Sequence, residues 1–109
     1  MINRFGTELS PYLTGNYFVW MINQFYKILP IRESNLQTLC KYINSLQREM
    51  LGCKNFIPAL SEDEHFLSLL SILEYLRNEN SDVSVVRSEV FKSISIIKKL
   101  QSKYAKQEV

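Results

Sequence analysis

Few residues of this chain could do chemistry. His65 is the single histidine, and Cys40 and Cys53 are the only cysteines. A Cys/His nucleophile pair or a zinc site needs such residues as near neighbours of the right type, and C-x-x-C spacing is absent. Cys40 falls on an apolar helical face and reads as a reduced thiol. His65 falls beside Leu69, Ile72 and Leu76, at the edge of another apolar face, and reads as packed or half-exposed.

Glu62, Asp63 and Glu64 form the densest acidic run. Paired carboxylates can bind a divalent cation or move protons. Consecutive helical residues, however, point about 100° apart, so these three do not converge. Their position at a helix start suits capping and the helix dipole instead. No glycine-rich phosphate loop and no Gly-x-Ser-x-Gly elbow occurs. The expectation is a protein without enzymatic activity, cofactor or metal.

These residues must sit on helices. The chain has 109 residues, 46% of them apolar and 22% charged, with three glycines and three prolines. That length fits one domain with a core of its own. The scarcity of turn residues argues against an all-β fold. Four stretches carry helical periodicity: about 11–29, 35–51, 62–79 and 82–104.

In the first stretch, Ser10 is an N-cap, Pro11 the first helical residue and Pro30 the stop. Its apolar arc, from Tyr17 and Phe18 to Ile28 and Leu29, covers about 200° of the wheel. A helix so apolar is expected at the centre of the fold. Its polar arc holds Asn16, Asn23, Gln24 and Lys27, with Trp20 in the middle. The second stretch begins at a Ser34/Gln37 capping box and stops at Gly52. The segment 53–60 contains Phe56, Ile57 and Pro58, and should pack down on the core. The third begins at a Ser61/Glu64 capping box. The fourth is entered from Asn80 and Ser81, and its buried face runs from Val83 and Val86 to Leu100 and Tyr104. Short connections favour antiparallel neighbours, so the expected fold is all-α: a single-domain, antiparallel four-helix bundle, with an irregular helical array as the alternative.

Charge is unevenly distributed. Residues 1–60 carry six Lys/Arg and three Asp/Glu, 61–82 carry one and six, and 83–109 carry six and two. A basic stripe on helix 4 follows i, i+4, i+7 and i+11 spacing: Lys92, Ile96, Lys99 and Lys103, continuing to Lys106, with Val85 on the same side. Aliphatics within a basic stripe fit a protein interface better than a phosphate one. Lysines without an aromatic stacking platform give only weak, non-specific nucleic-acid binding. Trp20 is the second candidate contact, because tryptophan often anchors interfaces.

Helix-turn-helix recognition of DNA is not suggested, because the break near Gly52 leads into an acidic helix start. The longest apolar stretch is interrupted by Asn23, Gln24 and Lys27, too short for a membrane span. No leader-like start is visible. The expectation is an intracellular, cytoplasmic protein-interaction module: an adaptor, a small assembly subunit, or an inhibitor or immunity-type protein. Its partner would be a protein, with self-association as one form. The alternative is a nucleic-acid-associated accessory subunit using the helix 4 lysines.

Overall fold

A computed structural model describes residues 1–34, 36–78 and 82–104. The chain is helical: α1 Pro11–Tyr26, α2 Ile28–Ser34, α3 Leu36–Phe56, α4 Pro58–Ser61, α5 Glu64–Asn78 and α6 Val83–Tyr104. Among the described residues the only β pairing is an isolated bridge between Ile2 and Glu8. No helix among them is long and apolar enough to cross a membrane.

The expected start of α1 holds. Ser10 Oγ accepts from the Leu13 N–H at 3.1 Å, and Pro11 opens the helix. The expected stop at Pro30 does not. The helix breaks at Lys27, and Pro30 becomes the third residue of α2. First-turn N–H groups have no intrahelical acceptor, so a proline there forfeits nothing.

The expected stop at Gly52 also fails. α3 runs on to Phe56, and a Cβ built on Gly52 would meet nothing within 4 Å. The helix stays ordered past the glycine because Ile57 and Leu60 beyond it are buried and anchor the chain. The segment 53–60 thus packs down as expected, but as helix plus one extra turn. The Ser34/Gln37 cap turns on Asn35, which lies outside the described residues, as do Glu79, Asn80, Ser81 and Lys106.

The N-terminal ten residues form a clasp. Gly6 takes φ +82°, a backbone conformation that L side chains rarely adopt. Asn3 Oδ1 accepts from the N–H groups of Phe5 and Thr7 at 2.9 and 3.1 Å. The Arg4 N–H reaches the Phe56 carbonyl at 2.7 Å, satisfying an orphan acceptor at the end of α3.

The centre of the fold is α6, not α1. It packs on α1, α5 and α2, whereas α1 packs chiefly on α6. The core combines Phe18, Met21 and Phe25 of α1 with Ile43 and Met50 of α3, Phe66, Leu69 and Leu73 of α5, and Val90, Ile97 and Leu100 of α6. A broad apolar arc is therefore no guarantee of a central place. The outer side of α1 remains in solvent.

Candidate functional site

Three regions carry the residues singled out above. The first lies where α5 begins and α6 ends. Asp63 is the residue that caps α5: its Oδ1 accepts from the N–H groups of His65 and Phe66 at 2.9 and 3.2 Å. The Ser61/Glu64 box does not form. Ser61 Oγ instead donates to the Pro58 carbonyl at 2.7 Å, because α4 interposes a turn before α5.

The second oxygen of Asp63 accepts from Lys103 Nζ at 2.7 Å and from the Tyr104 hydroxyl at 2.5 Å. The Asp63 side chain is only 1% exposed. Burial alone would raise its carboxyl; hydrogen bonds from Lys103, Tyr104 and the Phe66 N–H outweigh that and bring it down to about 2. Asp63 is thus ionised at neutral pH and ties the C-terminal end of α6 to the start of α5. Lys103, expected on an open stripe, is engaged within the molecule. Glu62 and Glu64 remain exposed on either side, as the 100° offset requires.

The second region surrounds Tyr17 and Cys53. The Tyr17 hydroxyl and Thr14 Oγ1 are buried without a hydrogen-bond partner among the described residues. Burial, followed by the Cys53 thiol and Glu49, pushes the Tyr17 hydroxyl far up. Burial likewise raises the Cys53 thiol, against a smaller downward pull from Tyr17. A thiol so placed stays protonated at neutral pH and is a poor nucleophile. Cys40 is half-buried and donates through sulfur to the Arg77 carbonyl at 3.7 Å, close to the end of α5. Among the described residues, no group of His, Cys, Asp and Glu is arranged to hold a metal ion.

The third region is a shallow, open groove of about 460 Å³ between α5 and α6. Glu64, Leu67, Ser68, Ser71 and Ile72 line it from α5, and Lys92 and Ile96 from α6. Buried Ile72 and half-buried Ile96 form its floor, and Glu64, Leu67, Ser68, Ser71 and Lys92 stand exposed around it. Two residues of the expected stripe, Lys92 and Ile96, meet here. Lys99 is exposed one turn further along α6. Val85 is half-buried near the start of α6 and lies outside the groove.

Trp20 is not the most exposed part of α1. It is half-buried, packs against the core and stacks on Tyr17 with ring centroids 5.7 Å apart. The open arc of α1 holds Tyr12, Asn16, Val19, Asn23 and Tyr26 instead. Wheel reasoning missed this because it oriented α1 by its polar residues. The helix is in fact oriented by Phe18, Met21 and Phe25, all fully buried. The signal that would have found the open face is the seven-residue spacing of Tyr12, Val19 and Tyr26. Comparison with protein-family models, with curated proteins and with solved structures finds no match to this chain.

Proposed function

We propose that this chain is a non-enzymatic protein-interaction module, a four-helix bundle in its essentials, that docks a segment of a protein partner in the groove between α5 and α6. An adaptor, a small assembly subunit and an inhibitor or immunity-type protein all act in this way. The observation that carries the reading is the convergence of Ile96 and Lys92 with Leu67 and Ile72 in one open groove. A partner's apolar side chains would cover the aliphatic floor. Lys92 on one wall and Glu64 on the other would fix its orientation, since rim charges contribute specificity and rate more than affinity. Trp20 serves here as support for α1 rather than as an anchor.

The test is affinity capture of the tagged chain from its native lysate, with and without nuclease, beside the Ile96→Glu variant. A stoichiometric protein that survives nuclease and is lost with Ile96→Glu is the expected result. Material released by nuclease and by moderate salt would instead make Lys92 and Lys99 a phosphate-binding stripe, because counterion release makes such complexes steeply salt-dependent. A protein retained equally by both variants would remove the groove from the interface.

A further inference from the structure

We infer that the flank of α6 turned toward α1 binds single-stranded nucleic acid, stacking a base on the Tyr26–Phe91 pair and holding the strand's phosphates with Lys27, Arg87 and Lys98. The groove lies on the other flank of α6, toward α5, so the two surfaces are independent. Phe91 and Lys92 are neighbours in sequence and therefore about 100° apart around the helix.

Spacing along one helix shows lysines alone; the packing of α1 on α6 adds an aromatic platform. Phe91 and Tyr26 meet edge-to-face with ring centroids 6.1 Å apart, and they remain 47% and 43% exposed. Each ring steadies the other, and an edge-to-face pair leaves a ring face for a third aromatic group. Stacking of a base on such a face tolerates any sequence, because every base has a π-face.

Charge complementarity names the occupant. Arg87, Phe91 and Lys98 fall at i, i+4 and i+11 on α6, within about 40° of one another around the helix. Arg87 stands roughly 6 Å before the ring along the axis and Lys98 roughly 10 Å beyond it. Lys27 follows Tyr26 directly, at the end of α1. All three cations are exposed, and among the described residues none of them pairs with an acid. α1 carries no acidic residue. Glu89, the one acid of α6, is half-buried and about 160° around the helix from Phe91.

A run of positive charge roughly 16 Å long beside an aromatic platform matches a few nucleotides of single strand, anionic at each phosphate and flat at each base. An acidic protein fits less well. Phe91 apart, the exposed side chains of α6 from Arg87 to Lys99 are all serine, lysine or arginine, so a protein would find no aliphatic core to bury. A duplex fits less well again, because its bases are already stacked and out of reach of the ring.

The test is fluorescence anisotropy of labelled single strands of about 12 nucleotides, one of deoxythymidine and one of uridine, titrated with the full chain at several salt concentrations. Both are expected to bind, with dissociation constants between about 10⁻⁶ and 10⁻⁴ M. Phe91→Leu keeps the apolar bulk but has no ring face, and should weaken binding by on the order of tenfold; Phe91→Trp should not. Arg87→Gln and Lys98→Gln should each lower the slope of log affinity against log salt by about 0.7. Ile96→Ala, in the groove, should change neither quantity. Circular dichroism checks the helical content of each variant. Strands left free at about 10⁻³ M chain, or bound alike by wild type and a folded Phe91→Leu, would overturn the proposal. Equal affinity for an oligoglutamate of the same length would overturn it too, and would make the patch a site for an acidic protein.

Discussion

α1 and α6 lie against each other, yet they treat their surfaces in opposite ways. α6 buries a narrow seam of Val86, Val90, Ile94, Ile97 and Leu100 and turns Arg87, Lys92, Lys98 and Lys99 to solvent. α1 buries Phe18, Met21 and Phe25 and turns Tyr12, Val19 and Tyr26 outward. The narrow seam sits at the centre of the fold because charges on its other faces leave only one way to pack it. The broad arc sits at the edge because three neighbours would be needed to cover it. Apolar width therefore measures how much surface a helix offers, and not how much the chain itself covers.

The largest effect that would sharpen this contrast is at Ile97. It is fully buried in the α6 seam. Ile97→Ala removes buried methyl groups and leaves a cavity, so unfolding in denaturant should show a loss of about 2–4 kcal/mol. A loss below about 1 kcal/mol would mean that the seam collapses easily and that α6 is not the organising helix.

Asp63 comes next, because it secures the far end of α6. Asp63→Ala removes the cap of α5 and frees Lys103 and Tyr104 together, for a cost of about 2–3 kcal/mol. Acid should produce part of the same effect. The folded carboxyl lies near 2, below its ordinary value of 3.8, so the stabilisation is complete above about pH 4 and is lost as pH falls toward 2. In Asp63→Asn this acid-induced loss should be smaller than in wild type. Equal acid sensitivity of the two proteins would show that other carboxylates govern acid unfolding.

How far the sequence reveals the molecule follows from the same contrast. The helices of 62–79 and 82–104 were legible because a regular apolar seam coincided with polar caps, although the cap of α5 proved to be Asp63 rather than Ser61. The breaks near Pro30 and Gly52 differ from expectation for two reasons. Proline and glycine report local preference: beyond Gly52, buried Ile57 and Leu60 override it, whereas at Pro30 the break falls earlier, at Lys27, and the proline enters the first turn of α2 at no cost. Gly52 then makes a clean test. It is exposed within α3, its φ is not positive, and a Cβ there meets nothing. Gly52→Ala should raise stability by about 0.5–1 kcal/mol, read as a higher denaturation midpoint. The groove was half legible. The spacing of Lys92 and Ile96 marked the α6 side, but that α5 supplies the other side depends on how two helices meet. Lys103 fitted the stripe by spacing and left it through an ion pair formed 40 residues away in sequence.

The smallest effect bears on the outer face of α1. Val19 is nearly half exposed and has an uncovered side, so Val19→Thr keeps its shape at χ1 and adds a hydroxyl that solvent can satisfy. Unfolding in dilute solution should change by no more than about 0.5 kcal/mol. The same substitution at Val90, fully buried in the α6 seam, introduces a hydroxyl into an apolar site and should cost about 1–3 kcal/mol. The pair differs only in which helix receives the oxygen. Equal costs would mean that Val19 is covered within the single chain, and α1 would then belong with α6 among the helices whose apolar surface the fold itself consumes.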